Sequence, residues 1–94
     1  NDLEAQKGLA RVTAWNGDVP ASVRLWTSLT QRYPTDPEVW LGLGRAQRWA
    51  GDSQASNDAL RAALALAPTN PEIVSELQHV DSVSVRLAHA DSLY

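Results

Sequence analysis

Glu76 and His79 are the residues of this chain whose types and spacing come closest to a catalytic motif. Glu76-x-x-His79 has the i, i+3 spacing that places a carboxylate and an imidazole on one helix face, as in half of a di-iron ligand set. A complete set needs a second Glu-x-x-His and two partner glutamates, which the pattern lacks. Exposed polar positions on a helix explain the pair better.

The other candidate motifs are also incomplete. Gly42-x-Gly44 is a fragment of a dinucleotide fingerprint, but no strand precedes it and no third glycine follows at the required spacing. His79 and His89 would lie about 15 Å apart along a continuous helix, too far to share a metal ion. No arrangement of Ser, His and an acid stands out. The sequence therefore predicts a protein that is not an enzyme and has no metal or cofactor.

Composition excludes further classes of function. The 94 residues suffice for a single domain, and 8 basic against 11 acidic side chains give a net charge of −3. An acidic surface argues against nucleic-acid binding, which relies on basic patches. The longest apolar run, Ala62 to Ala67, is far below the roughly 20 residues that cross a bilayer, so no direct membrane insertion is expected. There is no cysteine, and therefore no disulfide framework.

An internal repeat organises the chain. When the sequence is shifted by 34 residues, many uncommon residues fall on identical ones. The matching pairs include Gly8 with Gly42, Arg11 with Arg45, Trp15 with Trp49, Gly17-Asp18 with Gly51-Asp52, Ser22 with Ser56, and Pro34 with Pro68.

Each copy carries the start and stop signals of two helices. In the second copy Asp36 is predicted to cap the first helix, Gly51 to end it, and Pro68 to follow the end of the second. The first copy follows the same plan, with helices predicted over 3–16 and 19–32. No stretch alternates with a period of two, so we expect no strands.

We expect repeat units at 3–36 and 37–70, followed by a different segment at 71–94. This last segment keeps apolar residues at helical spacing, but the Gly-Asp turn due near Val85 is absent. A terminal helix that caps the array is the favoured interpretation, because an array must end on a face that tolerates water. The alternative is that this segment is the truncated first helix of a third repeat and has an exposed face prone to association.

These residues resemble the tetratricopeptide repeat. The second unit reads Trp40-x2-Leu43-Gly44-x2-Gln47, then Ser56-x3-Leu60, Ala63 and Pro68, and the first is a more degenerate copy. The resemblance implies an all-α fold: a short right-handed α-solenoid of two helix-turn-helix repeats plus a C-terminal capping helix, about five helices in one domain over 1–94. It also implies that Trp26 and Trp40 fill the core and that the chain is a non-catalytic protein-interaction scaffold.

In that family the first helix of each repeat lines a concave groove, and the resemblance places basic and indole side chains there. Arg and Trp are enriched at binding hot spots, so an acidic or carboxylate-bearing peptide or protein is the expected partner. The predicted binding residues are Lys7, Arg11, Trp15, Leu41, Arg45, Arg48, Trp49 and His79.

Two alternatives stay open at this point. Arg11 could pair with Glu38, and Arg45 with Glu72, as ordinary exposed ion pairs between neighbouring repeats. The chain could also be a spacer or assembly segment that forms a homodimer through the terminal helix around Leu87. The seven Arg to one Lys indicate a GC-rich bacterial source. The Trp-x-Gly-Asp turns resemble repeats that precede outer-membrane barrels in polysaccharide export, which leaves the bacterial periplasm or the cytoplasm as compartments.

Overall fold

The computed structural model describes residues 2–79, and these residues form an all-α helical-repeat arrangement. Four helices are complete: α1 (Asp2–Trp15), α2 (Val19–Arg32), α3 (Pro37–Trp49) and α4 (Ser53–Leu66). A fifth, α5, begins at residue 71 and is described to residue 79. No strand occurs within 2–79, so the predicted fold class is confirmed. The predicted course of the chain to residue 94, including the dimer contact near Leu87, lies outside the described residues.

The turn inside each hairpin is built twice with the same chemistry. The Asp18 carboxylate accepts a hydrogen bond from the amide of Ala21 at 3.2 Å, and the Asp52 carboxylate accepts one from Ala55 at 3.1 Å. Each bond satisfies an amide that the first turn of a helix leaves unpaired. The glycine before each aspartate has a positive φ, 95° at Gly17 and 87° at Gly51, which favours glycine. The Gly-Asp pairs therefore end one helix and start the next.

The connection between hairpins is also repeated. The side-chain oxygens of Asp36 and Asn70 each accept a hydrogen bond at 2.9 Å, from the amides of Glu38 and Glu72 respectively. Proline follows each cap at the first helical position, where a missing amide hydrogen costs nothing. The predicted cap at Asp36 is confirmed, and Asn70 performs the same task 34 residues later.

Within each hairpin a buried serine ties the second helix to the first. The Ser22 hydroxyl donates to the Ala10 carbonyl at 2.8 Å, and the Ser56 hydroxyl donates to the Gly44 carbonyl at 2.7 Å. Both serines are fully buried. Close approach explains the small residue at each acceptor: a Cβ at Gly44 would lie 2.7 Å from Leu60. Each serine therefore links the two helices of its hairpin by a hydrogen bond.

Between the hairpins the Trp26 ring packs against the backbone of α3. Trp26 is buried, and a Cβ built on Gly42 would lie 2.5 Å from the ring. The core position predicted for Trp26 is confirmed. Trp40 is only half-buried, and its Nε1–H donates to the Pro34 carbonyl at 2.8 Å, which fixes the connection before α3.

The chain order of the helices is also their packing order. α2 contacts α1 and α3, and α4 contacts α3. On the other side of α4, Ile73 and Leu77 of α5 join Leu60 in a buried cluster. First helices thus alternate with second helices along the stack, as repeated hairpins require. Within residues 2–79 no helix is long and apolar enough to span a membrane.

Two glycines at equivalent positions provide a matched test of this packing. We expect Gly42→Ala to lower the free energy of unfolding by about 1–3 kcal/mol, because the buried Trp26 ring has no room to yield. Gly8→Ala, 34 residues earlier, should raise it by up to about 1 kcal/mol, because its Cβ meets nothing within 4 Å and alanine favours a helix. Urea unfolding of both variants measures the difference, and equal effects would contradict the proposed contact.

Candidate functional site

A cleft of about 340 Å³ runs along the first helices of the stack. Residues of α1 and α3 line most of it, and residues at and just before the start of α5 also contribute. Of the residues predicted to bind, five line this cleft: Arg11, Trp15, Leu41, Arg45 and Trp49. The remaining lining residues are Trp26, Glu38, Gly42, Asn70 and Glu72.

Two exposed tryptophans border the cleft. Trp15 is 74% exposed and Trp49 is 48% exposed, although tryptophans are usually well buried. Each ends a first helix directly before a hairpin turn, so their positions repeat with the units. An indole offers a large rigid apolar face and one donor, which suits stacking against a partner. Neither ring is used to fill the core.

The second-unit arginines are held by carboxylates of α5. Arg45 Nη2 lies 3.0 Å from Glu72 Oε2, and its Nε lies 3.7 Å from Glu76 Oε2. Arg48 Nη2 lies 3.2 Å from the same Glu76 oxygen. Glu76 is buried, so these contacts hold both guanidinium groups against the stack. The alternative that Arg45 pairs with Glu72 across repeats is confirmed.

Arg11 differs from its equivalent Arg45. It is exposed and has no ion pair with any residue in the described part of the chain. Glu38, the partner expected for it, lies 3.3 Å from the Lys7 ammonium instead. The position equivalent to Lys7 in the second unit is Leu41, which has no charge to compete for Glu72. The expected pair between Arg11 and Glu38 is therefore wrong, because Lys7 takes the carboxylate.

Lys7 lies inside the stack and offers no free ammonium to the cleft. It is only 3% exposed, and its Nζ lies 3.0 Å from Asp36, 3.3 Å from Glu38 and 3.7 Å from Glu4. Burial acts to lower the pKa of Lys7, but hydrogen bonds and attraction from Asp36 and Glu38 outweigh it and raise the pKa above its ordinary 10.5. Lys7 thus joins the two hairpins.

The remaining predicted residues have separate places. Leu41 is buried, so only part of its side chain meets the cleft. Arg48 pairs with Glu76 and does not line the cleft, and His79 is exposed and also lies outside it. Within residues 2–79 no group of three His, Cys, Asp or Glu side chains is arranged to hold a metal ion.

The sequence offers Glu38 and Glu72 as ion-pair partners of Arg11 and Arg45, but it does not predict that they and Asn70 line the cleft. Asn70 and Glu72 lie at the entry to α5, and Glu38 lies at the entry to α3. The cap motif is the sequence feature that could have located these groups. The glutamate in the first turn after each cap contacts a basic residue in the first helix of the preceding unit, Lys7 or Arg45.

Comparison with protein-family models gives no match, and comparison with curated proteins gives no significant relative. The case for a function therefore depends on the geometry of the cleft.

The buried lysine predicts a distinct alkaline response. Because the pKa of Lys7 is higher in the folded state, the stabilisation is complete below about pH 10.5 and is lost as the pH rises through the folded-state pKa. We expect Lys7→Met to cost about 1–3 kcal/mol at neutral pH, since it leaves the carboxylates without their partner. Its unfolding free energy should then decline less steeply than the wild type's above pH 10.5.

Urea unfolding at several pH values measures both slopes. Parallel curves for the two proteins would show that Lys7 binds its proton no more tightly in the folded state.

Proposed function

We propose that the chain is a tetratricopeptide-repeat module that binds a peptide or protein partner without catalysis. The repeat assignment is supported by contacts that recur at the family's spacing of 34 residues. Both Gly-Asp turns, both caps between hairpins and both serine hydroxyl bonds are equivalent under that shift.

The observation that carries the binding proposal is the free guanidinium of Arg11 in a cleft bordered by two exposed indoles. Arg11 and Trp15 are four residues apart on α1, which makes them neighbours on one helix face. Trp49 borders the same cleft from α3. A cation beside apolar rings suits a ligand that combines a carboxylate with an apolar or aromatic group.

The charges in the cleft limit the number of acidic groups that it accepts. Its four charged lining residues are Arg11, Arg45, Glu38 and Glu72, which sum to zero. Glu72 forms an ion pair with Arg45, and Glu38 forms one with the buried Lys7. Arg11 is the lining charge without such a partner among the described residues, so the cleft is suited to one carboxylate and not to a run of acidic residues.

The ligand is thus an extended segment with one carboxylate next to an apolar or aromatic side chain. The carboxylate would accept hydrogen bonds from Arg11, and the apolar side chain would stack between Trp15 and Trp49. A chain terminus and an Asp or Glu side chain supply the same group.

A peptide selection tests this proposal directly. Random peptides displayed with free carboxyl termini are selected on the immobilised 94-residue chain, and the recovered peptides are measured by fluorescence anisotropy. We expect them to share one acidic group beside an aromatic or apolar residue. Arg11→Gln should then weaken binding by about 10-fold or more, the range for a lost charge-assisted hydrogen bond.

Arg24→Gln is the matched control, because Arg24 is an exposed arginine of α2 that does not line the cleft. It removes the same charge and should leave Kd unchanged. Equal losses for the two variants would reduce the effect to net charge and contradict the site, and so would a selection that returns no acidic peptide.

A further inference from the structure

The first helix of each repeat unit (α1, α3 and α5) occupies an equivalent position in the stack. In α3 and α5 the face towards the preceding unit is covered by that unit's second helix, and in α1 it is not. Val39 and Leu43 of α3 are buried in a cluster with Trp26 and Leu29 of α2. Their equivalents in α5, Ile73 and Leu77, are buried with Leu60 and Ala63 of α4. The same two positions of a first helix thus pack against the preceding second helix each time.

In α1 the corresponding face is open. Ala5 and Leu9 are the equivalents of Val39 and Leu43, and both are exposed, Leu9 by 55%. Val12, the equivalent of the fully buried Ala46, is 45% exposed. A Cβ at Gly8 would meet nothing within 4 Å, whereas at Gly42 it would strike the Trp26 ring. This face of α1 therefore has the small and apolar residues of an internal packing surface, but no described residue packs against it.

The charges at the edge of this face follow the same pattern. Glu38 and Glu72, the first-turn glutamates of α3 and α5, each meet a basic side chain of the preceding first helix, Lys7 and Arg45. Glu4 is their equivalent in α1. Its side chain is 68% exposed, and the cation near it is Lys7 of its own helix, at 3.7 Å. An acidic group is therefore in place where a preceding unit would bring a basic one.

We propose that the face formed by Ala5, Gly8, Leu9 and Val12, with Glu4 at its edge, docks a further helical hairpin of the same 34-residue type. That hairpin lays a bulky apolar side chain, equivalent to Trp26, on Gly8 and brings a basic side chain to Glu4. The surface is the equivalent in α1 of the α3 face that packs against α2, where the same four positions hold Val39, Gly42, Leu43 and Ala46. It is a different face of α1 from the one that borders the peptide cleft, and none of its five residues lines that cleft.

The described part of a second copy, residues 2–79, does not supply this partner. Within it the side chains at this repeat position are Trp26 and Leu60, and both are already buried inside their own stack. The occupant is instead a hairpin whose second helix is still uncovered.

A tandem duplication tests the proposal. Residues 1–34 are added in front of the complete 94-residue chain, which keeps the 34-residue period and brings Trp26 of the added copy to Gly8 of the original. We expect one cooperative urea transition at a higher midpoint than that of the 94-residue chain.

Gly8→Ala in the original copy is the decisive variant. In the 94-residue chain it should leave the urea midpoint unchanged or raise it, because its surroundings are open. In the duplicated chain the same substitution should lower the midpoint, because its Cβ would meet an indole as at Gly42.

Two results would overturn the assignment. The first is a duplicated chain that unfolds in two separate transitions, or in which Gly8→Ala acts as it does in the shorter chain. The second is a concentration-dependent dimer of the 94-residue chain that Leu9→Glu dissociates, since a second copy would then occupy the face.

Discussion

The approach of the Trp26 ring to the backbone at Gly42 is the constraint on which the stack depends. A ring of this size reaches the next hairpin only where no Cβ intervenes. At the following junction the equivalent pair is Leu60 and Glu76, a smaller side chain on one side and a longer one on the other. Both Leu60 and Glu76 are buried, so the second junction excludes solvent with a smaller side chain in place of Trp26 and a longer one in place of Gly42.

The difference between Gly42 and Glu76 also determines which ion pairs form beside the cleft. Glycine at position 42 offers no side chain to α1, whereas Glu76 in the equivalent place offers a carboxylate to α3. Arg45 and Arg48 both use it. In the first unit the hairpins are joined by Lys7, whose buried ammonium reaches Asp36 and Glu38. Arg11 has no ion pair among the described residues because a different cation makes the junction.

Local signals in the sequence predicted the helices well, because each boundary depends on residues close together in the chain. Asp36, Gly51 and Asp52 cap or end helices through bonds to neighbours within a few positions. Local signals do not predict which carboxylate each basic side chain pairs with. Lys7 and Arg11 lie on adjacent turns of one helix, and the sequence pattern predicts that both face the groove. Their competition for Glu38 is decided by burial, which the sequence pattern does not express.

α1 has three different surfaces: one packs against α2, one borders the cleft, and one is open and apolar. With 3.6 residues per turn, Ala10 and Ala14 face α2, while Arg11 and Trp15 lie about 100° further round the helix. Leu9 and Val12 follow after about another 100°. The ridge of Arg11 and Trp15 is therefore bordered by a packed face on one side and an open apolar face on the other. A hairpin docked on that open face would give α1 a neighbouring first helix on each side, as α3 has between α1 and α5. Trp15 would then border a second cleft, and its exposure, at 74% against 48% for Trp49, would fall towards that of its equivalent.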